Sequence, residues 1–310
     1  MQEMQFWSPW TPRCRIQPGA QTTGTPTRIL EKAKVARARA RAAAIAAIAR
    51  DLPEKASDLG RDRLGIALDE WQAKLVDSPL KRKAILGARQ CGKSMAVAIQ
   101  SVHRMLKRPD TSVIVMAASA RQSGLLVDKC RWILRKLGVE FQRDGLNPQS
   151  VLLDNGSRMV GLPKSPATIR GFTADLLIID EAAYVPDIAY AAARPMLAAT
   201  DGELVVMSTA NEPRGFFWDL TCGSGGRKGW LRFVIRAADV PHRLRPAFLE
   251  GERRELGPIA YAREYECEFV DGGSGIFARK TVESALSDEV EPLFPGGIRG
   301  SGRGKKEGDL

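Results

Sequence analysis

The chain has 310 residues, is 44% hydrophobic and carries a formal net charge of +11. This apolar content suffices for one large or two modest cores, and the positive charge suits a polyanionic partner. Only two histidines and five cysteines are present, and they form no Cys/His cluster, so we expect no structural zinc and no histidine-based catalysis. The sequence shows neither an apolar run of membrane-spanning length nor a signal peptide, so we expect a soluble cytoplasmic protein without membrane contact.

The amino-terminal part of the chain divides into two segments of different composition. Residues 1–27 contain several prolines and no periodicity, which predicts disorder. Residues 28–60 are rich in alanine and arginine, which predicts a basic helical arm. This arm is either a solvated helix that leans on the core through Ile45 and Ile48, or a basic element that touches nucleic acid.

From about residue 66 to residue 240 the chain alternates between strand-like and helix-like stretches, which predicts a domain of the α/β class, and we expect this domain to span residues 61–275. Continuous apolar runs such as "ADLLIID" are expected of strands buried on both faces, so we predict a doubly wound, mainly parallel sheet. "VLLDNGSRMVGL" predicts a hairpin that turns at Asn155 and Gly156. The main predicted helices are 93–107, 120–137, 188–199, 245–256 and 258–264. We expect residues 276–310 to form a flexible tail.

The stretch "ILGARQCGKSMAV", residues 85–97, contains the spacing G-x-x-x-x-G-K-[ST]. Gly87 and Gly92 allow backbone angles that a Cβ would block, so that the N–H groups of the loop can bind phosphate. Lys93 adds a positive charge at the β- and γ-phosphates, and the Ser94 hydroxyl can hold Mg²⁺. The stretch therefore predicts an ATP site, to which the neighbouring Gln90 and Met95 also belong.

A second part of this site follows in "LLIIDEA", where two acids end a buried strand. Asp180 is expected to order Mg²⁺ beside Ser94, and Glu181 to polarise the attacking water as general base. A further strand, "SVIVMAA", falls in the chain between the strand that precedes the phosphate-binding loop (P-loop) and this acidic strand. That insertion, with Glu directly after Asp, indicates the additional-strand (ASCE) class of P-loop NTPases.

Several of these elements, taken in order, resemble the large terminase subunits of tailed bacteriophages and prophages, the motors that package DNA. The segments that carry the resemblance are "LDEWQAKLVDS", "GARQCGKS", "ATIRGFTADLLIIDEAAYV", "VVMSTAN" and "REYECEFVD". The Arg-Gly step ahead of the acidic strand is the most specific of them, and the resemblance covers roughly residues 65–275.

The resemblance implies roles for further residues. Trp71 and Gln72 correspond to the pair that reads adenine, and Gln72 can match both a donor and an acceptor of the base. Either Arg89, in the same chain, or Arg170, acting on a neighbouring subunit, serves as the arginine finger, and we favour Arg170. The coupling motif is carried by Ser208, Thr209 and Asn211, whose side chains can sense loss of the γ-phosphate.

The family also implies partners: double-stranded DNA, a small terminase subunit, a portal protein and further copies of the chain in a ring. Family members usually continue into an RNase H-like nuclease. Here the residues after 273 include Asp288, Glu289 and Glu291 but no strand framework to array them, so we expect no nuclease domain. The alternatives are a helicase-like ATPase that lacks a second motor domain, and a scaffold that has lost catalysis.

Overall fold

The computed structural model describes residues 24–145, 147–222 and 229–271, with side chains from residue 30 onward. The predictions for most of segment 1–27 and for the tail 276–310 lie outside these residues. The first helix begins at Gly24, somewhat before the start expected at residue 28. No helix in the described part of the chain is both long and apolar enough to cross a bilayer.

Seven strands form a single sheet in the order β3-β4-β2-β5-β6-β1-β7. All neighbouring strands run parallel except β3 and β4, which pair antiparallel. The strands are β1 (Arg82–Gly87), β2 (Ser112–Ala117), β3 (Ser150–Leu152), β4 (Arg158–Pro163), β5 (Leu176–Asp180), β6 (Glu203–Ser208) and β7 (Trp230–Ile235). The predicted doubly wound, mainly parallel sheet is thereby confirmed.

The sheet corrects one detail of the predicted strand order. The strand that separates β1 from β5 in space is β6, whereas β2, the "SVIVMAA" strand, lies on the far side of β5. An inserted strand between the P-loop strand and the acidic strand is therefore present, as the additional-strand class requires, but it is the later one in the chain.

Nine helices are described: α1 (Gly24–Asp51), α2 (Ala56–Leu64), α3 (Glu70–Asp77), α4 (Lys93–Lys107), α5 (Ala120–Lys136), α6 (Pro166–Ile169), α7 (Asp187–Ala193), α8 (Gly215–Thr221) and α9 (Pro246–Tyr265). The helix predicted over 188–199 is shorter than expected, because a 3₁₀ turn over Arg194–Leu197 follows α7 and carries Pro195 near its start. The break predicted near residue 257 is present inside α9, where Gly257 has a φ of 73°.

Two apolar layers cover the two faces of the sheet. One contains buried residues of α2, α3, α4 and α5, and it also receives Ile45 and Ile48 of α1. The other contains buried residues of α6, α7 and α8. The predicted hairpin is formed by β3 and β4, and at its turn Gly156 has a φ of 86°. The sheet is thus buried on both faces, and this places the carboxyl ends of β1, β5 and β6 side by side.

Candidate active site

The loop between β1 and α4 makes a tight turn. Gln90 and Gly92 have φ values of 62° and 99°, so the loop turns through left-handed conformations before the helix begins at Lys93. A Cβ on Gly87 would lie 2.9 Å from Cys91 Sγ, which explains the glycine there. Such a turn at the start of a long helix directs backbone N–H groups toward a bound anion.

Lys93 lies inside this loop and is only 8% exposed. Its ammonium donates to the carbonyls of Gly87, at 2.7 Å, and Ala88, at 2.9 Å. A cavity of about 580 Å³ opens over the loop. Of the predicted site residues, those that line it are Arg89, Gln90, Gly92, Lys93, Ser94, Met95, Asp180, Glu181 and Thr209.

The two acids at the end of β5 both line this cavity. Neighbouring strand residues normally point to opposite faces, but Glu181 has a φ of 51°, so the chain leaves the strand geometry directly after Asp180. The Glu181 amide donates to Asp180 Oδ1 at 3.0 Å. Burial, reinforced by the charge of Glu181 and opposed by Lys93, raises the pKa of Asp180 to about 6.

The predicted coupling residues lie at the end of β6, the strand between β1 and β5, and directly after it. The Ser208 hydroxyl donates to Glu181 Oε2 at 3.2 Å, so it fixes the carboxylate expected to act as base. Thr209 lines the cavity together with Tyr184. Asn211 lies farther along, where its carbonyl accepts from the amide of Val270 at 3.1 Å.

Trp71 and Gln72 lie beside the loop rather than in the cavity above it. Gln72 is 1% exposed, and its Nε2 donates to the Gly92 carbonyl at 3.0 Å. Its Oε1 accepts from the Asp69 amide at 2.8 Å, which closes a capping box at the start of α3. Trp71 lines an adjacent cavity of about 480 Å³, where its ring lies 6.1 Å from that of Phe233.

The two candidate arginine fingers occupy different places. Arg89 lines the cavity, and its Nη1 lies 3.6 Å from Glu264 Oε2. Arg170 is exposed at the end of α6 and lines a separate, largely apolar groove with Phe172 and Ile188. The chain therefore does not bring Arg170 into its own nucleotide cavity.

Comparison with known proteins identifies the family of this chain. Residues 84–284, more than half of the chain, match the family described as terminase large subunit, T4likevirus-type, N-terminal. The chain belongs to this terminase family. The resemblance found in the sequence is thereby confirmed.

The curated relatives of this terminase chain include two proteins from Thermus phages. The chain is 25% identical over 262 residues to the large terminase subunits of Thermus virus P23-45 and Thermus phage G20c, and covers 53% of each. The chain thus spans about half the length of these curated relatives.

Solved structures agree in fold. The large terminase ATPase domain of Thermus phage P74-26 superposes with a TM-score of 0.61 at 23% identity, over 70% of this chain and 100% of that one. The large terminase of a thermophilic bacteriophage in complex with ADP gives a TM-score of 0.57 at 14% identity, over 66% of this chain and 54% of that one.

Several residues of the terminase cavity were not identified from the sequence, and four of them carry a charge or a phenol. Lys129 of α5, Tyr184, Arg243 and Glu264 all line it. Glu264 lies within "REYECEFVD", which marks the segment but not the residue. Arg243 lies in a loop without a motif, so only the three-dimensional structure identifies it.

The cavity fits ATP and Mg²⁺ by its chemistry. Ser94 and Asp180 both line it, and Asp180 is a buried carboxylate whose charge a cation would stabilise. Within the described residues no cluster of three or more His, Cys, Asp or Glu side chains can hold a metal ion. A hydroxyl and a carboxylate suit Mg²⁺, which usually takes its other ligands from phosphate and water.

Proposed function

We propose that this chain is the ATP-hydrolysing part of a phage DNA-packaging motor, which moves viral double-stranded DNA into a procapsid. The observation that carries the proposal is one cavity that joins the Lys93 loop with the Asp180–Glu181 pair in a terminase chain. The ADP complex of the thermophilic phage terminase and the ATPase domain of the P74-26 terminase support the choice of nucleotide and reaction.

Each cavity residue has a role that follows from its position. The loop amides, Lys93 and the start of α4 bind the phosphates of ATP. Ser94 and Asp180 hold Mg²⁺, which neutralises charge on the phosphates when it is bound. Glu181 accepts a proton from the attacking water, and the Ser208 hydroxyl keeps its carboxylate in place. Trp71 and Gln72 lie beside the loop, and we place adenine at this end of the site.

The arginine finger and the coupling residues extend this mechanism beyond one site. Because Arg170 lies outside its own cavity, we assign it to the cavity of a neighbouring subunit in a ring. Arg89 remains the alternative within the chain. Thr209, which lines the cavity beside Tyr184, and Asn211, whose carbonyl accepts from the Val270 amide, relay the loss of γ-phosphate to the surrounding segments.

The family implies the setting in which the motor works. We propose residues 61–275 as the ATPase domain and residues 28–60 as a basic arm. The partners are double-stranded DNA, the small terminase subunit and the portal protein, and the site of action is the portal of a procapsid in the bacterial cytoplasm.

An assay of ATP hydrolysis with and without double-stranded DNA tests this proposal. The purified chain should release phosphate from ATP with Mg²⁺, and DNA should stimulate the rate. A forked duplex should remain paired during turnover. Strand separation would instead indicate the helicase-like alternative, and absence of nucleotide binding and turnover would indicate a scaffold.

A further inference from the structure

Arg243 connects the loop ahead of α9 to the phosphate-binding loop. Its Nε donates to Asp69 Oδ2 at 2.9 Å, and its Nη2 donates to Gln72 Oε1 at 3.2 Å. Asp69 also lies 2.9 Å from Nε2 of His242. The carboxylate of Asp69 therefore fixes the guanidinium at the start of α3.

The same group of residues packs against the last residue of the phosphate-binding loop. A Cβ on Gly92 would overlap Gln72 Nε2 and would lie 3.4 Å from Arg243 Cζ. Gln72 also donates to the Gly92 carbonyl, one residue before Lys93. Gln72 thus contacts the backbone at the point where α4 begins, and the Arg243 guanidinium lies beside that point.

The guanidinium has donors to spare for a ligand. Of its five N–H groups, two are used by Asp69 and Gln72. Arg243 lines the cavity over the loop together with Lys93 and Ser94, and its side chain is 29% exposed. Arg89, another arginine of the cavity, lies near Glu264, whereas the Arg243 guanidinium faces the loop end where the phosphates would enter.

We propose that Arg243 is a further phosphate-binding residue of the nucleotide site, held in place by Asp69 and coupled through Gln72 to the Gly92 backbone. The inference rests on the proposed nucleotide binding. It adds a contact from the segment between β7 and α9, so that occupation of the phosphate site acts on both that segment and α3.

Equilibrium binding of ATP and of inorganic tripolyphosphate to the full chain, with Mg²⁺, tests the assignment. Arg243→Gln should weaken the binding of both ligands by about ten- to a hundredfold, because a charge-assisted hydrogen bond to phosphate is lost. Arg243→Lys should recover part of the loss, since it keeps the charge without the planar fork. Arg245→Gln makes the same change of charge two residues away, outside the lining of the cavity, and should bind both ligands as the wild type does.

Asp69→Asn should also weaken ATP binding, and the loss in the Asp69→Asn, Arg243→Gln double variant should be smaller than the sum of the single losses. The assignment is overturned if Arg243→Gln binds ATP as tightly as the wild type. It is likewise overturned if the variant loses affinity for ATP while tripolyphosphate binding is unchanged, since Arg243 would then act on the base through Gln72. A wild-type chain that binds neither ligand would instead refute the proposed nucleotide site itself.

Discussion

At the residue scale, the acidic pair of the site shows what a sequence can and cannot reveal. The position of Asp180 and Glu181 after a buried apolar run was predictable, because such runs are typical of central parallel strands. The left-handed backbone of Glu181, which brings both carboxylates to one cavity, was not. Glutamate rarely adopts this conformation, and the local sequence contains no glycine to indicate it.

The raised pKa of Asp180 predicts that the ionised carboxylate lowers the stability of the folded chain. The pKa of this carboxyl rises from its ordinary value of 3.8 to about 6 in the folded chain. Between these values the folded chain holds a proton that the unfolded chain has lost, so its stability falls as the pH rises through this window and stays lower above it. At neutral pH the cost is on the order of 1–3 kcal/mol.

We therefore expect Asp180→Asn to raise the unfolding temperature of the nucleotide-free chain at pH 7 while it abolishes hydrolysis. The gain should shrink as the pH is lowered from 6 toward 4, because the wild-type carboxyl becomes neutral. Thermal melts across this range measure it, with the exposed Asp62→Asn as control. A variant less stable than the wild type at pH 7 would show that Lys93 already compensates the charge.

At the element scale, strands and helices followed from periodicity, but their neighbours in space did not. The helix predicted over 93–107 matches α4, since its apolar spacing is regular. The separation of β1 from β5 by β6 depends on crossover connections, which periodicity does not encode. The same holds for Arg243, whose partners Asp69 and Gln72 lie at the start of α3, far away in the chain.

A buried ion network ties β1 and β6 to α4 at the end of the sheet away from the site. Lys83 is fully buried, and its ammonium lies 2.7 Å from Glu203 Oε1. Gln100 donates to the same carboxylate at 2.6 Å, and Arg104 contacts its other oxygen. Burial lowers the pKa of Lys83, while Glu203 opposes this effect.

We expect Glu203→Gln to lower the free energy of unfolding by about 3–5 kcal/mol, because it leaves a buried ammonium without its counter-charge. Lys83→Met should cost less, since Glu203 keeps Arg104 and Gln100 as partners. Urea denaturation of both variants measures the difference. Equal losses in the free energy of unfolding would mean that the packing of the Lys83 side chain, and not its charge, stabilises this site.

At the scale of the whole molecule, the parallel sheet brings the ends of β1, β5 and β6 to one edge, and the cavity lies there. Arg170 is the predicted catalytic residue that this arrangement leaves elsewhere, in a groove with Phe172 and Ile188. We therefore propose that Arg170 acts between neighbouring subunits, a role that neither the sequence nor the structure of one chain can test.

A mixture of Arg170→Ala chains with Lys93→Ala chains tests action between subunits. If Arg170 serves a neighbour, some interfaces combine an intact Lys93 with an intact Arg170, and part of the ATPase rate returns. A finger is worth about 10³–10⁵ in rate, so the recovery should be easy to measure. No recovery on mixing, with co-assembly demonstrated, would move the assignment to Arg89.

We propose that Lys93, Asp180 and Glu181 form one hydrolytic ATP site. Steady-state turnover and ATP affinity of the wild type, Lys93→Ala and Glu181→Gln test it most directly. Glu181→Gln should bind ATP as the wild type does and lose about 10²–10⁴ in rate, because only the general base is removed, whereas Lys93→Ala should lose binding or turnover. Turnover by Glu181→Gln at the wild-type rate would show that Glu181 is not the general base.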